Sequence, residues 1–100
     1  MIHHIVFWKM KADANGATAE ANAKEMKRLL NALQPLIPQV RSLSVGLDLN
    51  RSEAAWDVAL YTTFDSMAGL QAYQIHPEHK MVVEFVSGVV ASRAVVDFEA

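Results

Sequence analysis

The 100-residue chain contains no cysteine. That excludes disulfide staples, thiolate nucleophiles, zinc fingers and thiolate-ligated clusters. It also lacks an excess of one charge. Nine Lys and Arg stand against eleven Asp and Glu, a formal net charge of −2. Such a surface has no basic footprint for nucleic acid, so no nucleic-acid partner is expected. No apolar run approaches the ~20 residues of a membrane-spanning helix, and Ile5–Trp8 is too short for a signal-peptide core. The expectation is a soluble cytoplasmic protein with no membrane partner. Glycine is scarce, with four residues, and forms no phosphate-cradling loop. Ser-His-Asp sets and paired catalytic carboxylates are missing too. No cofactor is expected, and no metal: His76 and His79 are three residues apart, but Pro77 keeps His76 outside the helix.

What the chain does have is apolar residues, at 52%. Its mean hydropathy is +0.12. A domain of this size buries only about 60–70% of the surface of its unfolded chain. A single domain over residues 1–100 therefore carries more apolar surface than one core hides, and a second copy of the chain is the usual cover.

Residues 2–10, rich in β-branched and aromatic side chains, read as a strand. Residues 11–17 form a polar loop with an Asn15-Gly16 turn signal. Thr18 is the expected N-cap of a helix with Glu20 in its first turn. Met26, Leu29, Leu30, Leu33 and Ile37 follow at helical spacing, and Pro35 and Pro38 limit the helix. Residues 40–49 alternate, with Leu43, Val45, Leu47 and Leu49 on one side. Residues 50–55 read as an exposed hairpin loop. Residues 56–64 form the next strand, with Trp56, Val58, Leu60, Thr62 and Phe64 on one face. Asp65 or Ser66 caps a short helix carrying Met67, Leu70 and Tyr73. Pro77 opens another helical segment, with Met81, Val82, Phe85, Val86 and Val89 as its buried face. Residues 92–98 are the last strand.

The order β-α-β-β-α-β, with the second helix broken at His76-Pro77, is the ferredoxin-like pattern: an α+β fold with an antiparallel sheet and helices on one face. In the first strand His4, Val6 and Trp8 share one face, while Ile5 and Phe7 share the other. The chain's own helices cover only one face. The expected remedy is a homodimer through the helix-free sheet face.

Histidine is the side chain suited to proton transfer near neutral pH, with a reference pKa of ~6.5. There are four: His3, His4, His76 and His79. His4, beside Val6 and Trp8, is placed to line the space between sheet and helices. Tyr73 lies on the apolar stripe of the short helix, and His79 in the first turn of the next. Structural roles stand beside these: His76 as an N-cap, His79 as a hydrogen-bonding tie at the helix junction, His4 as a satisfied core histidine, and Tyr73 as a core aromatic. His3 is expected to point away from His4, toward the dimer seam. Trp8 and Trp56 read as core residues, and Lys24, Lys27 and Arg28 as a solvated helix face.

Three segments carry a resemblance. They are Ile2-His3-His4-Ile5-Val6-Phe7-Trp8-Lys9-Met10-Lys11, the junction Thr63 to Tyr73, and Tyr73-Gln74-Ile75-His76-Pro77-Glu78-His79 with its Tyr-x-x-His-Pro-x-His spacing. With Asp97-Phe98 near the end, the chain resembles the stress-responsive A/B barrel domain family across almost its whole length. The resemblance implies a dimeric α+β barrel built from two ferredoxin-like sheets. It implies little about chemistry, because most members have no assigned activity and fold alone does not give function. One plant member is a polyketide cyclase. By carry-over from it, His79 is the general base, Tyr73 a hydrogen-bonding orienter and His4 a polar group of the pocket. Val6, Trp8, Met26, Leu30 and Leu60 are then the apolar walls. The chain departs from the cyclase at Met26 and Leu30, where that enzyme has aromatics, and at Trp8, where it has an aliphatic residue. A different substrate is therefore expected. The expected function is binding of a small apolar or aromatic carbonyl compound and, in an enzyme, proton transfer or polyketide-type cyclisation by a His base. The alternatives are a non-catalytic structural or stress protein and a cofactor-independent monooxygenase.

Overall fold

A computed structural model describes the whole chain, residues 1–100. Its elements are β1 (Ile2–Met10), β2 (Asp13–Ala14), β3 (Ala17–Thr18), α1 (Ala19–Asn31), β4 (Ser42–Leu47), β5 (Val58–Phe64), α2 (Met67–Ile75), α3 (Pro77–Val89) and β6 (Val90–Glu99). The main sheet is antiparallel, in the order β4-β5-β1-β6. This is the ferredoxin-like α+β fold.

Local chemistry explains the element ends. Asn15 and Gly16 both have positive φ, 53° and 74°. That is the conformation of a two-residue hairpin turn, and at the Asn-Gly signal it closes β2 on β3, a strand pair that the polar-loop reading leaves out. Thr18 Oγ1 then accepts the Ala21 N–H at 3.1 Å and starts α1. Past Asn31, Leu33 N–H and Leu36 N–H turn back to carbonyls three residues behind, and Pro35 brings no N–H with which to continue. Ile37 still reaches the core, with none of its surface exposed. Ser66, rather than Asp65, caps α2 by accepting the Gly69 N–H at 3.2 Å. His76 caps α3, with Pro77 in the first turn.

The strands β4 and β5 are shorter than their alternation predicts. The Asp48 carboxylate accepts the N–H groups of Asn50 (2.9 Å) and Arg51 (2.8 Å) and turns the chain there. Leu49 is left outside the strand and 95% exposed. A second difference falls on α3. Its buried stripe is Val82, Val86 and Val89, spaced four and three residues apart, and Met81 lies off that stripe and in solvent. The last strand begins at Val90 rather than 92, because it continues directly from the α3 C-cap.

One face of the sheet packs on the helices. Val6, Val58, Leu60, Thr62 and Phe64 are buried there, with Met26, Leu30 and Leu33 from α1 and the turn beyond it and Leu70 and Tyr73 from α2. The register puts His3, Ile5, Phe7, Tyr61, Val96 and Phe98 together on the opposite face. No helix covers that face. Tyr61, Val96 and Phe98 remain exposed on it, and His3 stacks on Phe98 with its Nδ1 2.7 Å from the Tyr61 hydroxyl.

Candidate functional site

Between the sheet and α3 lies an open cavity of about 650 Å³. Its floor comes from β1 and β5, as His4, Val6, Trp8 and Leu60. Leu30 of α1 and Val82 and Val86 of α3 add apolar wall, and Val90 closes the end where α3 becomes β6. Polar residues gather at the mouth: Gln74, His79, Lys80, Glu84, Ser87 and Arg93. Six of the sequence candidates thus meet at one cavity: His4, Val6, Trp8, Leu30, Leu60 and His79.

Two candidates do not. Met26 has no exposed surface and lies within the core, not the cavity wall. Leu30, one turn later on the same helix face, is the α1 residue that reaches the lining. Tyr73 also falls outside the lining, fully buried. Its ring packs on Phe64 (5.2 Å between centroids) and on His79 (4.4 Å), and meets His4 edge-on at 6.4 Å. Its hydroxyl has no hydrogen-bond partner. Burial pushes the phenol pKa well above its ordinary value. Tyr73 therefore touches the site through its ring, as backing for the two imidazoles, and not as a hydrogen-bonding group in the cavity.

The histidines are fixed by what their Nδ1 atoms do. His79 Nδ1 lies 3.1 Å from the Gln74 carbonyl. A carbonyl only accepts, so Nδ1 carries the proton and Nε2 keeps a free lone pair. His4 Nδ1 bonds to the Asp97 carboxylate across the β1–β6 pairing, in which His4 and Asp97 are direct neighbours. Again the bond is made through Nδ1, and His4 Nε2 makes none. Burial lowers the His79 pKa from its ordinary value. The Gln74 carbonyl opposes that shift, and the nearby His4, Arg93 and His76 charges add to it. A neutral imidazole with an accessible lone pair in apolar surroundings can accept a proton.

Sequence reasoning missed Asp97 as the partner of His4. The two are 93 residues apart, and only the pairing of β1 with β6 joins them. It also missed Gln74, Lys80, Glu84 and Arg93 at the mouth. Their faint signal is position: Lys80 and Glu84 fall on the edge of the α3 stripe, and Arg93 shares the Trp8 register. His76, by contrast, does not reach the cavity. Its Nδ1 accepts the Glu78 N–H at 3.1 Å, as an N-cap. No helix is long and apolar enough to cross a membrane.

No curated protein sequence matches the chain significantly. Among solved structures, a dimeric protein of unknown function and ferredoxin-like fold from Bacteroides fragilis is 32% identical, with a TM-score of 0.88 over 99% of this chain and 95% of that one. A dimeric ferredoxin-like protein of unknown function from Thermobifida fusca is 25% identical, with a TM-score of 0.84 over 99% and 90%. A hydroxynitrile lyase from Passiflora edulis matches at 19% identity and a TM-score of 0.82, over 97% and 90%. At that identity the likeness is one of fold. The profile of the stress-responsive A/B barrel domain matches residues 2–100. With the fold, the Tyr73–His79 signature and that match in hand, the chain belongs to the stress-responsive A/B barrel domain family.

Proposed function

We propose that the protein is a homodimer that binds a small apolar or aromatic carbonyl compound between sheet and α3, and that His79 removes a proton from it. One observation carries the reading: His79 spends its Nδ1 proton on the Gln74 carbonyl and so keeps its Nε2 lone pair in an apolar cavity. His4, held through Nδ1 by Asp97, is a second polar group of the same cavity and orients the ligand. Tyr73 positions both rings from behind. The dimer is supported by the exposed apolar residues on the helix-free face and by the dimeric state given for the Bacteroides and Thermobifida relatives.

The test is exchange of the methyl protons of 2-acetylnaphthalene for deuterium, followed by NMR. The protein is expected to accelerate exchange. His79→Asn retains a donor for the Gln74 carbonyl but has no base, so exchange should fall roughly 10²–10⁴-fold with the melting temperature held. The pH profile has a defined sign. A base whose pKa is lowered from the 6.5 of a free imidazole is already deprotonated at neutral pH. The rate should be flat above that value and fall only below it. Unchanged exchange in His79→Asn would defeat the assignment.

A non-catalytic reading has its own observation. The His76 and His79 hydrogen bonds tie α2 to α3, and a structural junction needs nothing more. It predicts no acceleration by the wild-type protein, and a melting temperature that drops in His79→Ala and recovers in His79→Asn.

A further inference from the structure

Three of the four arginines are occupied by carboxylates: Arg28 by Glu25, Arg41 by Asp65, and Arg51 by Asp48 and Asp57. Arg93 has no such partner and makes no hydrogen bond through its side chain, and it is the arginine that lines the cavity. It sits on β6 directly opposite Trp8, on the face that also carries Asp97 opposite His4. The Trp8 indole N–H likewise makes no hydrogen bond, although the side chain lies almost wholly inside the protein. Two donors without acceptors therefore lie on paired strand positions beside the cavity, with His4 four residues along β1 and His79 near enough for the Arg93 charge to act on it. Arg93 and Asp97 are four strand positions apart, about 13 Å along β6 at 3.3 Å per residue. Lys80 adds a second unpaired cation from α3, and Glu84 is the one carboxylate in the lining. The lining itself therefore carries two cations, Lys80 and Arg93, against one carboxylate.

We propose that Arg93 is a specificity-determining residue that takes the carboxylate of an aromatic or acyl acid and so orients the rest of the ligand toward His79 and His4. This rests on the reading of the cavity as a binding site for carbonyl compounds and narrows it to those that also carry an acid group. A guanidinium forms a paired, charge-assisted contact with a carboxylate. The apolar wall of the cavity accepts the body of the molecule. Placed so, the acid group fixes which carbon of the ligand meets the imidazoles.

The experiment compares naphthalene-2-acetate with its neutral isostere naphthalene-2-acetamide by calorimetric titration. The wild-type protein should bind the acid about tenfold more tightly at low salt. The preference should shrink at about 1 M salt, where the Debye length is about 3 Å. Arg93→Gln should erase the preference by weakening the acid and leaving the amide alone. Arg41→Gln, which removes an equal charge far from the cavity, should keep it. Arg93 is exposed on an edge strand, so its replacement is not expected to unfold the protein. Equal binding of the two probes by the wild type would overturn the proposal, as would a preference that survives Arg93→Gln or that disappears only in Lys80→Gln. Amide binding without acid preference would sink this inference alone. Failure of both probes to bind would sink the cavity reading with it.

Discussion

The hydroxyl of Tyr73 is the only fully buried side-chain polar atom in the protein without a hydrogen bond. A phenol taken out of water and given no partner costs free energy, on the order of 1–3 kcal/mol. What retains Tyr73 is its ring, wedged between Phe64 and His79. The phenyl ring of Phe fills the same space. Tyr73→Phe should therefore stabilise the protein by about 1 kcal/mol, which for a chain of this length raises the melting temperature by roughly 4–8 °C. Thermal unfolding by circular dichroism measures it. A lower melting temperature would show that the hydroxyl has a partner in solution, and would return Tyr73 to the hydrogen-bonding role that the family resemblance implies.

At the scale of elements, the α2–α3 junction joins fold to site. Pro77 forces a break that a continuous helix would not have, and the break lets His76 cap α3 while His79 turns back to Gln74. Loss of an N-cap costs about 1 kcal/mol. His76→Ala should destabilise by that amount and His76→Asn should restore most of it, in chemical denaturation with an unchanged slope. If alanine costs nothing, the cap is idle and the junction is held by packing alone. This grammar was readable from the sequence because it is local: Thr18, Ser66 and Pro77 each act on residues within one turn. The faces of β1 and β5 were readable for the same reason, since alternation is a local period. Local signals fail where partners are remote. Apolar character places Met81 in the core, because it does not give the angle of a helix face to within one residue. The family resemblance places Met26 in the cavity wall, and periodicity cannot correct it, because it separates core from solvent but not core from cavity. The His4–Asp97 contact depends on β6 pairing with β1, which no short-range pattern in the chain specifies.

At the scale of the whole molecule, the two faces of the sheet have different owners. The helices cover the face that carries the cavity. The opposite face leaves Tyr61, Val96 and Phe98 exposed beside the half-buried Ile5 and Phe7, and β6 is an open edge strand. A second copy of the same face is the natural cover, since an isologous contact is self-complementary. Val96 is the position at which this can be tested cleanly. Its side chain is 55% exposed within the single chain, so a charge there disturbs little in an isolated protomer. In a face-to-face dimer the same charge would be buried opposite its own symmetry mate or an apolar neighbour, and an unpaired buried charge is strongly unfavourable. Sedimentation should give the wild type about twice the chain mass of 11.1 kDa, and Val96→Asp close to the chain mass with its circular dichroism retained. A Val96→Asp protein that still sediments as a dimer would move the interface away from this face. Because β1 carries His3, Ile5 and Phe7 on the helix-free side and His4, Val6 and Trp8 on the cavity side, the same variant also asks whether a partner on that face braces the cavity floor. Ligand affinity should fall along with dimerisation if it does.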